Sequence, residues 1–216
     1  MRLREFAIFA SVSDKDLALA ESFMERLTFS PRKRMFEQGD RLDGIYVVFD
    51  GFAKISHRQL SGNDTLLELS GKGSVLGLDN LAEDSPQINH AQALTELSVG
   101  FLRRSEVLDL MKRHDGVMKS IVSCLGSKCR GYQVEVLKKK GNISPEVRLA
   151  EVFLKMPDAC SILDKKEVAQ VAGIDLRSFR KVIQKWHSQH FVQDSLQDVK
   201  ILQPDALKEL VVSGWL

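Results

Sequence analysis

Hydrophobic and polar positions change period along this chain, and the changes divide it. From Ser13, with Asp16 three residues on, a helical run extends to about Arg26, with Leu19, Phe23 and Leu27 as its apolar side. Beyond Pro31 the spacing shortens to that of strands. Met35 and Phe36 precede the turn signal Gly39–Asp40. IYVVFDG at 45–51 ends in the hairpin dipeptide Asp50–Gly51, and FAKIS at 52–56 alternates as its return strand. SGND at 61–64 is a further turn, TLLELS at 65–70 a further strand, and AQAL at 91–94 and LSVGFL at 97–102 close the series. Many short strands broken by Gly, Asp and Asn predict a compact barrel or jelly roll, not a parallel sheet with crossover helices.

Helical spacing returns at Ser105, the expected cap of EVLDLMKR, and continues in a long helix over 116–140. Val117, Ile121, Cys124 or Leu125, Lys128, Tyr132, and Glu135 or Val136 fall on one interrupted stripe. A helix of that length between two compact domains predicts pairing with a second copy, with packing on the chain's own barrel as the alternative. Lys138, Lys139 and Lys140 end it, and Ser144–Pro145, a cap followed by an N1 proline, marks a domain boundary. In DKKEVAQVAGIDLRSFRKVIQKW at 164–186, Asp164 and Glu167 form a capping box, and Val168, Ala169 and Ala172 give a small apolar face. Gly173 marks a sharp turn, and Asp175 caps a second helix whose Phe179, Val182, Ile183 and Trp186 form a buried stripe. Arg177, Ser178, Arg180, Lys181 and Lys185 remain outside. The pattern is that of a helix-turn-helix, which can present its second helix to a DNA major groove. HFVQDSLQDVKIL at 190–202 predicts a two-stranded ribbon turning near 195–198, and Pro204 opens a last helix, which makes the arrangement a winged one.

Charge sharpens the division. Residues 1–102 carry 11 basic and 15 acidic side chains, residues 103–140 carry 10 and 4, and the rest is balanced. A polyanionic partner is therefore expected only for the C-terminal half. Cys124, Cys129 and Cys160 form no CxxC pair, and their odd number argues against a disulfide framework. No apolar run reaches the length of a membrane span and no signal peptide is evident, so a cytoplasmic protein without a membrane partner is expected. The five histidines are scattered, and no Walker loop, HExxH, GxSxG or acid–His–nucleophile set appears. His187 and His190, three apart on one predicted helix, are too few for a metal site. Neither an enzyme nor a metal protein is expected.

With these pieces in order, the chain resembles the Crp/Fnr family of bacterial transcription regulators, which includes the cyclic-AMP receptor protein and the fumarate–nitrate reduction regulator. FEQGDRLDGIYVVFDGFAKI at 36–55 looks like its early roll strands, and GSVLGLDNLAEDSPQINHAQAL at 73–94 like its ligand cradle. LDKKEVAQVAGIDLRSFRKVIQKW at 163–186 looks like its DNA-reading unit, and VKILQPDALKEL at 199–210 like its wing and final helix. The resemblance implies an α+β chain in three parts. These are a cyclic-nucleotide-binding-like β-roll (a double-stranded β-helix or jelly roll) over 1–115, a dimerisation helix over 116–140, and a winged helix-turn-helix over 141–216. It implies a homodimer on a two-fold operator in double-stranded DNA. RNA polymerase is a further partner for an activator, although no stretch marks its surface.

The departures from the family are specific. The cyclic-AMP cradle has a Glu after its glycine and an Arg–Ser pair further on; the matching positions here are Leu78, Ile88 and Asn89. No cation is available for a buried cyclic phosphate, so cyclic AMP is not expected as effector. The expected effector pocket is Gly77, Leu78, Asp79, Ile88 and Asn89, for an unidentified ligand. LGLDN and NHAQAL are similar to the oxygen- and nitric-oxide-responsive branch. Residues 1–123 contain no cysteine, so an iron–sulfur cluster is not expected, and haem is left open. In the reading helix, the family's Glu and Arg are replaced by Arg177 and Lys181. Arg177, Ser178, Arg180 and Lys181 are the expected base contacts, and Lys165, Lys166 and Lys185 the expected phosphate contacts. The altered reading positions also motivate a rival: a sensor or scaffold of the same fold without specific DNA binding.

Overall fold

The computed structural model describes residues 3–10, 12–62, 64–81, 85–140, 143–157, 159–195 and 198–214, in two units, 1–133 and 134–216. In the first, Ser13 caps α1 (Asp14–Phe23), its hydroxyl accepting the Asp16 N–H at 3.3 Å. The strands follow as β1 (Glu25–Phe29), β2 (Arg34–Phe36), β3 (Gly44–Asp50), β4 (Ala53–Arg58), β5 (Asp64–Ser70), β6 (Val75–Leu76), β7 (His90–Ala93) and β8 (Leu97–Arg103). They form two antiparallel four-stranded sheets, ordered β1-β8-β3-β6 and β2-β7-β4-β5. The helices α2 (Arg104–Arg113) and α3 (Asp115–Lys140) complete the series.

β3 shows why the roll closes as it does. Six of its seven residues are buried, so both of its faces meet protein. Tyr46 and Val48 point between the sheets with Phe36, Ala53, Ala91, Ala93, Leu97 and Val99. Ile45, Val47 and Phe49 point the other way, into a second core built from Phe6, Phe9, Leu17, Val107, Leu110, Val117 and Ile121. A run without alternation is what a strand buried on both sides requires.

Four local expectations are corrected. The first helix stops at Phe23; residues 25–29 pair with β8, Leu27 opposite Val99. Its buried face is Leu17 and Ala20, and Phe23 is exposed. Long-range strand pairing overrides the helical spacing that continues through Leu27. Asp50–Gly51 is not a hairpin: β3 pairs with β6 and β8, and β4 with β5 and β7, so the turn passes the chain from one sheet to the other. Ser105 is not the cap of α2, which begins at Arg104; the Arg103 N–H donates to the Glu106 carboxylate at 2.9 Å. His187 and His190 do not share a helix, because His190 lies beyond the last helical residue in a left-handed turn, φ 59°.

The second unit contains α4 (Pro145–Lys155), α5 (Ala159–Ile162), α6 (Lys165–Val171), α7 (Leu176–Ser188), the antiparallel pair β9 (Val192–Asp194) and β10 (Val199–Ile201), and α8 (Pro204–Gly214). This is the winged arrangement expected. Part of the expected wing turn, 196–197, lies outside the described residues, as do 141–142 at the expected domain boundary. Among the described residues no helix is long and apolar enough to cross a membrane.

Gly51 adopts φ 86°, and a Cβ there would strike the Glu96 carbonyl oxygen. Gly51→Ala is therefore expected to cost the first unit about 2 kcal/mol or more. Urea denaturation measures it, and an unchanged midpoint would contradict this account of the sheet-to-sheet turn.

Candidate nucleic-acid interface and sensor region

The helix-turn-helix is built from local rules. Asp164 and Glu167 make the reciprocal box at the start of α6, the Asp164 carboxylate accepting the Glu167 N–H at 2.7 Å and the Glu167 carboxylate the Asp164 N–H at 3.2 Å. Gly173, at φ 64°, ends the helix; its N–H reaches the Gln170 carbonyl at 3.0 Å and the Ile174 N–H the Ala169 carbonyl at 2.9 Å. This is the six-to-one closure that a left-handed glycine permits. Asp175 caps α7 by accepting the Ser178 N–H at 2.9 Å and hydroxyl at 2.7 Å. Those bonds hold its carboxyl below the usual carboxylate range.

Phe179, Val182, Ile183 and Trp186 form the buried side of α7. Trp186 is fully buried against Phe153, the rings meeting edge to face at 6.2 Å. Two residues of α4 hold the motif. The Glu146 carboxylate accepts the Trp186 indole N–H at 2.8 Å and the Lys185 ammonium at 2.7 Å. The Arg148 guanidinium donates to the Gly173 carbonyl in the turn and to the Ile143 carbonyl before α4, both at 3.1 Å.

On the opposite side, Arg177, Arg180 and Lys181 are exposed and make no ion pair among the described residues. Gln184 joins them one turn on. Its helical spacing from Arg177, Arg180 and Lys181 marks it in the sequence, but it lacks the charge that singles out its neighbours. Ser178 is different: half-buried, its hydroxyl is spent on Asp175. The lysines also divide. Lys165 is bonded to the Asp194 carboxylate and the Ser195 carbonyl, both at 2.8 Å, which ties the start of α6 to the wing. Lys185 is paired with Glu146, and Lys166 is exposed. The first turn of α7 holds no acid, while Arg177 sits at its positive end. A cation there opposes the helix dipole, an effect that the ionised Asp175 cap offsets and an approaching anion reverses.

The stripe expected to face a second copy is corrected by about one residue of rotation. Val117 and Ile121 are only 2% exposed, packed in the first unit's own core, with Cys124 half-buried beside them. The exposed apolar positions are Met118, Val122, Leu125, Tyr132 and Val136, with Cys129 among them. Their spacing alternates four and three, a heptad seam. Of the expected stripe, Leu125, Tyr132 and Val136 belong to it. Lys128 faces the roll, 3.5 Å from Glu68, which also accepts the Tyr132 hydroxyl at 3.2 Å and the Ser70 hydroxyl at 2.9 Å. Burial and the Glu68 charge push the Tyr132 phenol up to about 12.

The expected effector residues differ in burial. Gly77 lies in a buried turn, Leu78 is closed in the helix-side core, and Asp79 is exposed. Ile88 projects into solvent at 69% exposure and Asn89 is half-buried. The polar feature near them is His90, which is 1% exposed, with its Nε2 3.2 Å from the Asp64 carboxylate and neither ring nitrogen in a hydrogen bond. Arg34 and Arg58 approach the same carboxylate at 3.7 and 3.3 Å. Among the described residues no three His, Cys, Asp or Glu side chains could hold a metal. Cys160 is buried, its thiol pushed up to about 12 by that burial.

Comparison with known proteins follows the same division. Residues 26–114 match the cyclic nucleotide-binding domain family. A cyclic AMP receptor protein from Thermus thermophilus is 25% identical over 129 residues, which span 60% of this chain and only 60% of that protein. The transcriptional regulatory protein btr of Bordetella pertussis is 22% identical over 205 residues, 89% of this chain and 84% of that one. In fold, a CRP/FNR-family transcriptional regulator from Thermus thermophilus superposes with a TM-score of 0.66 at 20% identity, covering 87% of this chain and 98% of its own.

Burial, then the Arg34 charge, lowers the His90 pKa, Asp64 opposing them. The unfolded chain takes up this proton near the ordinary histidine value of about 6.5, and the folded unit resists it. Stability is thus full above that value and falls as pH drops through it toward the lower folded pKa. Urea midpoints of the first unit between about pH 7 and 5 should decline in the native chain and decline less in His90→Gln; equal slopes would remove His90 as the cause.

Proposed function

We propose that this chain, which belongs to the Crp/Fnr-type regulator family, is a homodimeric transcription regulator that reads double-stranded DNA with α7. The observation that carries this is the outer face of α7, where Arg177, Arg180, Lys181 and Gln184 are exposed together behind a fully packed inner stripe. Arg177 and Lys181 donate to guanine O6 and N7, and Gln184 suits adenine N6 and N7. Arg180 and Lys166 reach phosphates or base edges, while Lys165 and Lys185 do so only by leaving Asp194 and Glu146. Ser178 acts through its cap on Asp175 more than through a base. The relatives compared above are named as a receptor protein and regulators, none as an enzyme.

Two copies pair through Met118, Val122, Leu125, Cys129, Tyr132 and Val136, placing the reading helices in successive major grooves about 34 Å apart. The dimer's operator is two-fold and its half-site guanine-rich. The signal acts at the roll and shifts the population of DNA-competent dimers. The proposed effector is not cyclic AMP in the usual cradle; Leu78 closed in the core and Ile88 facing outward support that reading. Haem or another small effector is resolved by an optical spectrum and native mass spectrometry of the purified dimer.

Footprinting tests the reading. A discrete two-fold footprint should lose at least about tenfold in affinity in Arg177→Ala, the cost of one bidentate base contact. Salt-sensitive smearing without a footprint would favour the scaffold without specific DNA binding. The seam has its own test. Mild oxidation should give a disulfide-linked dimer through Cys129, because a parallel seam brings the two copies of that residue face to face. Cys129→Ser should abolish the product and Cys124→Ser leave it; the reverse would restore the stripe that sequence spacing predicts.

A further inference from the structure

We infer that Glu146 and Arg148, on the first turn of α4, are positioning residues that set how α7 is presented. This rests on the reading of α7 as the DNA-contacting helix and names what holds it. Neither residue faces the reading surface, yet between them they grip the turn before α7 and the far half of that helix. Glu146 uses its two oxygens separately: Oε1 accepts the Trp186 indole N–H at 2.8 Å and Oε2 the Lys185 ammonium at 2.7 Å. Trp186 is fully buried, so its N–H has no water to turn to, and leaving it unpaired would cost the full desolvation of that donor. The carboxylate is itself largely covered, 18% exposed, and sits where the positive end of α4 favours it. Its position is thus fixed from three sides.

Arg148 works at the other end. Its guanidinium donates to the Gly173 carbonyl, in the left-handed turn between α6 and α7, and to the Ile143 carbonyl, in the segment that leads into α4. A planar guanidinium donating along two directions fixes the angle between those carbonyls as well as their distance. The turn before α7 and the segment leading into α4 are therefore held to one group. With Glu146 fixing the far half of α7, both roll of the helix about its axis and its tilt relative to α4 are opposed.

The test uses the full chain and two readouts. In hydrogen exchange, Glu146→Ala should speed the α7 amides at least about tenfold, and Arg148→Ala those of Gly173 and Ile174, with the α8 amides unchanged. Glu146→Gln, which keeps an acceptor for Trp186 and gives up the charge opposite Lys185, should stay near the native rates. No change, or uniform acceleration that includes α8, would overturn the inference, because general loosening is not positioning. On DNA, Glu146→Ala should lower specific affinity at least about tenfold while non-specific binding, which gains the released Lys185 ammonium, does not fall. Equal specific affinity would also overturn it. A native chain without a footprint would sink the DNA-reading assignment instead, and the exchange comparison would still judge the positioning one.

Discussion

α3 has more apolar circumference than its own roll covers, and the organisation of the chain follows from that mismatch. Val117 and Ile121 enter the core beneath β3, so the helix is committed to the roll along one side. Met118, Val122, Leu125, Tyr132 and Val136 then line an adjacent side that no described part of the chain closes over. Exposed apolar side chains at heptad spacing suit a second helix of the same kind, which is the basis of the pairing proposed above. The face turned to the roll is polar where the seam is most continuous: Lys128 and the Tyr132 hydroxyl converge on Glu68. One residue, Tyr132, thus gives its hydroxyl to the roll and its ring to the seam.

The second unit divides its chemistry in the same way, between groups that hold and groups that reach. Several of its cations are spent: Lys165 on the wing, Lys185 on Glu146, Arg148 on two carbonyls. Three exposed ones, Arg177, Arg180 and Lys181, share one face of α7 with Gln184. Arg177, at the positive end of a helix already capped by ionised Asp175, gives the isolated fold little and is favourable against a phosphate backbone. Binding more than stability favours a cation at that position, which is where function is expected to show.

Elements specified by near neighbours along the chain are legible in the amino-acid sequence. The Asp164–Glu167 box, the turn at Gly173, the Asp175 cap and the Phe179–Trp186 stripe depend on contacts within a few helical turns, and they stand as expected. Most strands of the roll, though not β1 and β6, are legible too, from β-rich runs between turn residues. Their partners are not. Leu27 fits a helix by spacing and a strand by pairing, and Asp50–Gly51 has the composition of a hairpin without being one. Strand pairing is decided by residues some seventy positions away, and local composition carries no record of them.

The roles of individual charges and faces show the same limit. The sequence by itself determined that there would be a two-sheet roll, a long helix and a winged helix-turn-helix with a basic outer face, because periodicity, caps and turn residues are properties of short segments. Only the tertiary structure decided which side of α3 the roll consumes, which lysines are already paired, that Leu78 is closed off while Ile88 is bare, and that Glu146 and Arg148 brace α7. Each of those depends on which distant surface arrives first at a side chain with more than one acceptable partner, and burial settles that choice through packing of the whole unit.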